Sequence, residues 1–410
     1  MNILLLATGF APYAFSENIV NSKLTLAFQD NGWSVQVVSR IDDGPAYNRE
    51  WQPVWSPLHS ITHEVSYAPG SRLIRFIDLF SSATRLCHPI PGVRWARRAV
   101  DHARRLHRTT PFDFVISRSP NDVGHLAALA FSEETGVPWV ANWNDPPTHL
   151  WPAPYTHGLG KIDSYLSSRL LRGVCRKASV VTFPSRRLAE HICKSLSRGP
   201  RRVEVIPHIG LVNYAPTNQA ESGVFRLCHA GNLSGERDPG CLLQGLAIFI
   251  AQEKPQHRVE LEIIGVNHPE TSKKAAAHGV AGLVTVTGSL GYIEVLHRLA
   301  QATVLVLVEA PCAEGIFLPS KLVDYVQVGR PVLCISPSWG TVRDLLKESK
   351  GGLFADCTKP MEIAAAITHL YRAWKGGTIA AEYTNKRLWK LFEPASVLRQ
   401  YEQIFLEIKR

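Results

Sequence analysis

Apolar residues along the chain alternate between short unbroken runs and longer stretches with helical spacing. Residues 3–7 (Ile-Leu-Leu-Leu-Ala) form the first run and end in Thr8-Gly9, the look of a buried parallel strand followed by a turn. Over 16–31 the positions Ile19, Val20, Leu24, Leu26 and Ala27 recur at helical spacing. Ser16 and Glu17 mark the start of that helix, and Asn31-Gly32 mark its stop. Residues 34–39 are the next strand, so the chain opens as a βαβ unit. Further strands are predicted over 112–117, 139–142, 179–183 and 203–206, with a helix over 125–135 closed by Gly136.

Residues 207–222 lose the periodicity and hold Pro207, Gly210, Pro216 and Asn218, which reads as an interdomain linker. The pattern then restarts. Strands are predicted over 225–229, 259–264, 284–287, 303–308 and 331–335, with Gly351-Gly352-Leu353-Phe354 leading to a last short one. Helices fall over 239–252, 292–300, 319–328, 360–371 and 396–409. The expected fold class is α/β, with two Rossmann-like doubly wound domains over 1–206 and 223–385 facing across a cleft. Residues 386–410 are expected as a C-terminal helix, with packing back toward the first domain as one option. Ligands in such sheets sit at the carboxyl ends of the strands, where strand order reverses. With two such halves, the natural site is the cleft.

Composition supports two cores. The chain has 410 residues, 45% of them hydrophobic and 20% charged, enough for two domains of about 200 residues each. No stretch of 18 apolar residues occurs, so no membrane span is predicted. The first residues lack a basic region, and their apolar run is too short for a signal peptide, so a cytoplasmic location is expected. The eight cysteines are scattered with no C-x-x-C pair, which suits buried thiols in a reducing compartment.

The net charge is +10, and the excess is concentrated. Nine arginines (Arg72, Arg75, Arg85, Arg94, Arg97, Arg98, Arg104, Arg105, Arg108) lie within 71–110, beside only two acids, Asp78 and Asp101. Apolar residues interleave with them. This suits either a segment lying on the inner, anionic face of a membrane or a solvated helix face. Nucleic acid is not expected as a partner, because no zinc spacing, RNP strand or helix-turn-helix accompanies the charge.

Several chemistries are excluded by what is missing. There is no G-x-G-x-x-G after a strand, no P-loop and no G-x-S-x-G elbow. No D-x-D occurs, so a metal-bridged diphosphate has no obvious ligands, and no metal or other cofactor is expected. Two clusters in the second half could hold a diphosphate directly. In 231–239, Gly231 and Asn232 open a strand-to-helix loop in which glycines free the backbone. The following helix start offers N–H groups, and Arg237 adds a forked cation. In 314–325, Pro319 starts a helix with Ser320 and Lys321 in its first turn. A lysine there opposes the helix dipole unless an anion lies between them. Asp324 falls one turn on, either as an ion-pair partner or as an acceptor for vicinal hydroxyls.

The run from Phe317 through Pro319-Ser320-Lys321 and Asp324-Tyr325 to Gly329-Arg330-Pro331-Val332 resembles the donor-site helix of retaining GT-B glycosyltransferases of family 4. It is nearest the subgroup with P-S-K, then E-Y, then G-x-P-V. Gly231-Asn232-Leu233 through Arg237 resembles that family's first donor-domain loop. Residues 8–12 and 31–35, and the stretch 138–146, resemble its N-terminal half. The resemblance implies a metal-independent transfer of sugar, with retention, from a nucleotide-sugar donor to a glycan or lipid-linked acceptor. Arg237 and Lys321 would grip the diphosphate, Asp324 would bind donor hydroxyls, and Gly288-Ser289-Leu290 would present backbone to the base. Asp145 would face the reacting centre or the acceptor, or else simply cap a turn before Pro146. His125 would face the site or, as is commoner for a helix histidine, be satisfied within the fold.

Three departures stand out. The family's second glutamate is Asp324 here. The first glutamate of the E-x7-E spacing falls on Ile316, with Glu314 only a near neighbour. Ala14, Phe15 and Ser16 replace the glycine pair of the first N-terminal loop. Two other readings follow from the same fold. One is a nucleotide-sugar 2-epimerase, which needs acid–base carboxylates converging on the donor. The other is a non-catalytic scaffold, against which the retained Arg237 and Lys321 argue.

Overall fold

The computed structural model describes residues 1–13, 15–41, 51–67, 90–120, 122–156, 160–216, 223–233, 235–266, 268–383 and 385–409. Arg72, Arg75, Arg85, Cys87, Ala14 and Asn218 lie outside them. The described residues form two compact units.

The first unit carries β1 (Asn2–Ala7), α1 (Ser16–Asp30), β2 (Ser34–Ile41), β3 (Thr62–Ser66), α2 (Val93–Thr109) and β4 (Phe114–Arg118). It continues with α3 (Val123–Thr135), β5 (Trp139–Asn142), α4 (Lys161–Lys177), β6 (Val180–Phe183), α5 (Arg186–Lys194) and β7 (Val203–Val205). Its seven strands are all parallel, in the order β3-β2-β1-β4-β5-β6-β7. Leu5 of β1 pairs with Val37 on one side and Ile116 on the other, which places the unbroken apolar run of β1 at the centre of the sheet. A strand covered by helices on both faces has no polar side to show, hence its run of leucines.

The second unit repeats the plan. It carries β8 (Val224–Ala230), α6 (Gly240–Glu253), β9 (Arg258–Ile264), α7 (Pro269–Ala277), β10 (Val284–Val286), α8 (Tyr292–Gln301) and β11 (Val304–Val308). It then adds α9 (Ser320–Val328), β12 (Val332–Ser336), α10 (Thr341–Ser349), β13 (Gly352–Asp356), α11 (Pro360–Lys375), α12 (Ile379–Glu382) and α13 (Lys386–Phe392). The strand order is β10-β9-β8-β11-β12-β13, again all parallel. Its core is built on α6 and α11, whose Leu243, Leu246, Phe249, Ile367 and Tyr371 close over Phe225. The Phe225 and Tyr371 rings meet edge to face at 5.3 Å. The strand order reverses between β1 and β4 in one unit and between β8 and β11 in the other. The loops leaving these strands therefore diverge and open a crevice at the carboxyl edge of each sheet.

The unit boundary falls after Val212, and buried Ile209 and Leu211 belong with the first unit. The short stretch Pro152–Tyr155 groups with the second unit. The expected single helix over 386–410 is in fact two, α13 in the second unit and α14 (Pro394–Lys409) in the first. Glu393, forced extended (ψ 140°) by the proline that follows, is the break between them. Phe405 of α14 stacks on Phe114 at 4.3 Å, and Tyr401 meets Phe28 edge to face at 5.2 Å. Lys409 Nζ reaches Asp113 Oδ1 at 2.8 Å.

The seven described cysteines are free, and burial raises the thiol pKa values, with Cys175 pushed up to about 12. No helix among the described residues is long and apolar enough to cross a membrane. Of the concentrated arginines, six lie on α2. Arg98, Arg105 and Arg108 are exposed there, while Arg104 pairs with Asp101 and Glu134.

Candidate active site

The second unit gathers its functional side chains at the β8–β11 crevice. Helix α9 begins at this edge with Pro319 as its N-cap, and no side chain caps it. Its first-turn N–H groups and the positive end of its dipole are thus left for an anion. Lys321 stands in that turn, half-buried. Its Nζ lies 3.4 Å from Nε2 of His229, a fully buried residue near the end of β8. The other ring nitrogen, Nδ1, is 2.8 Å from the Val306 carbonyl. A carbonyl can only accept, so Nδ1 carries the proton and Nε2 offers its lone pair to the lysine. Tyr325, one turn further along α9, accepts from the Ala230 N–H at 2.8 Å and donates to the same Val306 carbonyl at 3.3 Å. Helix α9 is in this way fastened to both strands that flank the crevice.

Gly231 completes the lysine's pocket. Its φ of +117° suits glycine alone, and a Cβ there would stand 2.5 Å from Lys321 Nζ. Arg237 is exposed on the following loop, its guanidinium 5.8 Å over the Tyr155 ring, which meets Phe317 edge to face at 5.5 Å. Asp324 accepts from the Tyr292 hydroxyl at 2.7 Å. That bond ties α8, and the loop holding Gly288, Ser289 and Leu290 just before it, to α9.

The charges are under tension. Burial first, and then the neighbouring Arg237, bring the Lys321 amine down to about 7, while Asp324 opposes the fall. Burial and the Lys321 charge hold His229 well below the ordinary histidine range, so it is neutral. Glu309, just past β11, is raised to about 7 by burial, with Arg237 opposing. The partly buried Lys321 amine beside the exposed Arg237 guanidinium is a cost that an anion between them would remove. Glu309 also borders a cavity of about 460 Å³ lined by Asp238, Cys241, Lys274, Pro311 and Thr358.

At the start of α6, Asp238 Oδ1 accepts from Gly240 N–H at 2.6 Å and Asp238 pairs with Lys274, and the cavity beside Glu309 reaches this end of the helix. Asn232 spends its side-chain oxygen on Val266 N–H at 3.0 Å, bracing the β8 and β9 loops. Ile316 is buried, its carbonyl accepting from Thr341 Oγ1 at 3.1 Å. Glu314 is partly buried, and its carbonyl accepts from Cys312 Sγ at 3.2 Å. Sequence reasoning missed His229, Glu309, Tyr292 and Tyr325. The one available signal was a histidine near the end of an otherwise buried strand.

The first unit has its own cluster at the β1–β4 reversal. Buried Arg118 donates to Asn144 Oδ1 at 3.0 Å, to the Tyr401 hydroxyl at 3.2 Å and to Asn21. Asn144 in turn donates to Glu17 Oε2 at 2.7 Å. Asp145 follows, its N–H 3.4 Å from Ser119 Oγ. Burial, and then the Asp145 charge, raise the Glu17 carboxyl far above the ordinary range, against Arg118 and the Asn144 bond. His125 is fully buried and shares a 2.7 Å hydrogen bond with Ser117, but its Nε2 has no partner among the described residues. It is therefore a core histidine only half satisfied.

Glu17 makes stability depend on pH. The folded state keeps a proton that the unfolded chain loses in the ordinary glutamate range, so stability falls as pH rises from there toward the raised native value. Glu17→Gln, which keeps an acceptor for Asn144, is expected to melt higher than the parent at pH 9 and no higher at pH 5. The same difference at both pH values would mean that Glu17 holds no such proton.

Residues 19–209 match the family described as Glycosyltransferase Family 4, and residues 225–373 match Glycosyl transferases group 1. No curated protein matches the chain. Among solved structures it is similar to Anabaena HepE in complex with UDP and glucose, at 15% identity and TM-score 0.69, over 99% of this chain and 100% of that one. It is similar to sucrose-phosphate synthase from Thermosynechococcus elongatus, at 14% identity and TM-score 0.71, over 99% and 98%. A glycosyltransferase from Rickettsia africae gives 12% identity and TM-score 0.66, over 100% and 98%. At these identities the likeness is one of fold.

Proposed function

Because this chain belongs to the GT-B glycosyltransferases, joining a family 4 first half to a group 1 second half, we propose that it moves a sugar from a nucleoside-diphosphate sugar with retention and without a metal. The observation that carries this is Lys321 in the uncapped first turn of α9, with Arg237 as a second cation beside it. In the proposal these two groups and the helix end take up the charge that develops on the departing diphosphate, work done elsewhere by a bound metal. Asp324, oriented by Tyr292, accepts from donor hydroxyls, and Gly288-Ser289-Leu290 meets the base. The cavity beside Glu309 gives space for the donor.

The acceptor belongs, in this reading, to the first unit, where Asp145, just past β5, and Glu17, in the first turn of α1, accept from its hydroxyls. Retention is the part of the reading carried over from the likeness of the α9 run to the retaining family 4 donor helix. The leaving phosphate oxygen then takes the acceptor's proton as the new glycosidic bond forms. Positioning and charge stabilisation supply the rate. A lipid-linked glycan is the acceptor class we favour, on the exposed Arg98, Arg105 and Arg108 of α2.

The test is thermal unfolding with UDP, GDP, ADP and CMP, each with and without EDTA. UDP comes first, as the nucleotide bound in the similar Anabaena HepE. A ligand at 100 times its Kd stabilises by about 2.7 kcal/mol, several degrees for units of this size. One diphosphate is expected to stabilise despite EDTA. A shift abolished by EDTA would overturn the metal-free site, and no shift with any nucleotide would overturn the reading as a whole. Product anomeric configuration, read by NMR, decides retention.

A further inference from the structure

His229 lies outside every residue set that touches a donor in the proposed reaction, yet the fold commits a fully buried polar ring to it. Its orientation is fixed from behind, since Nδ1–H is held by the Val306 carbonyl at 2.8 Å. Its front nitrogen, left unprotonated by that bond, is 3.4 Å from Lys321 Nζ. Gly231 keeps the space around that amine clear, since a Cβ would stand 2.5 Å from Nζ. A lysine tip with four rotatable bonds normally wanders. Here it has one fixed acceptor on its inner side.

We propose that His229 is the positioning residue for Lys321: its Nε2 lone pair binds one ammonium hydrogen, so the other two point at the diphosphate and the amine keeps its proton in the dry crevice. This rests on the donor-site reading above. The groups that face Lys321 are His229 from β8, Arg237 from the loop after β8 and Asp324 from α9. Of these, His229 and Asp324 favour the charged amine and Arg237 opposes it. Diphosphate binding then draws a proton onto Lys321 when the solution pH is above about 7, where the ligand-free amine titrates. Affinity is therefore greatest below that value and weakens as pH rises through it, approaching tenfold per pH unit.

Binding is measured by calorimetry from pH 5.5 to 9 with the tightest of UDP-, GDP- and ADP-glucose, whose phosphates do not titrate in this range. Three variants are compared: His229→Leu, which removes the acceptor; His229→Gln, whose amide can donate to Val306 and still accept from Lys321; and Lys321→Met. In His229→Leu the pH at which affinity begins to fall is expected to drop by about one unit. That weakens binding about tenfold at pH 7.5 and less than about twofold at pH 5.5. His229→Gln is expected to restore the parent profile. A His229→Leu profile that coincides with the parent's, or lies below it equally at every pH, overturns the positioning role. Undiminished affinity in Lys321→Met overturns the donor-site reading itself, a separate result. Circular dichroism at pH 5.5 and binding there confirm that each variant is folded.

Discussion

Lys321→Ala is expected to lower kcat for sugar transfer by about 10²–10³, the loss seen when one preorganised group that stabilises developing charge is removed, equivalent to about 2.7–4 kcal/mol. The effect falls on kcat as well as KM because the bridging oxygen of the diphosphate gains charge only as the bond to the sugar breaks. Lys321→Arg is no rescue. The guanidinium keeps the charge but is a broad plane, and the lysine tip already lies against Gly231, 2.5 Å from where a Cβ would stand. A steady-state comparison of the three enzymes is the check. A loss below about fivefold in kcat/KM would remove Lys321 from the chemistry and leave Arg237 as the sole cation of the proposal.

Gly231→Ala is expected to produce the second large loss, by a different route. A non-glycine residue at φ +117° costs on the order of 1–3 kcal/mol of stability, several degrees of melting temperature. The new methyl also occupies the place of the lysine tip, 2.5 Å from Nζ and 3.4 Å from Cε. The tip is the flexible end of a long side chain, so it swings away cheaply and leaves His229. Transfer is expected to fall at least about tenfold. The double variant Gly231→Ala/Lys321→Ala separates the two routes. If the alanine acts through Lys321, its effect on activity vanishes in the Lys321→Ala background while its effect on stability persists. Additive losses of activity would mean that Gly231 serves the ligand directly.

Much of this was legible in the sequence, for definite reasons. Strands buried on both faces read as near-continuous apolar runs, so β1 and β11 announce themselves. A lysine in a first helical turn contradicts the helix dipole, so Lys321 does too. The elements missed are those whose pattern is weak alone. Helix α4 carries Ser164, Ser167, Ser168 and Gly173, and α7 is short and polar. Their stability comes from the sheet they cover. The site partners were hidden for a related reason. His229, Glu309 and Tyr292 are brought to Lys321, Arg237 and Asp324 by strand order, and a sequence read in line does not reveal which loops the sheet makes neighbours. The bond from Gly240 N–H to Asp238 was missed because a carboxylate in a glycine-bearing loop reads the same whether it binds its own backbone or faces a ligand.

The return of α14 to the first unit also sets an order of events during synthesis. Phe28, Trp33 and Phe114 are made early, but the helix that covers them, with Tyr401 and Phe405, leaves the ribosome only after the second unit. Between them come residues 213–393, which hold nearly all of the second unit. At about 5–20 residues per second the wait is on the order of ten to forty seconds. The half of the chain that is translated second is thus the first to possess all its parts. The half translated first spends that interval with aromatic surface open to water, the period in which a chaperone has most to protect.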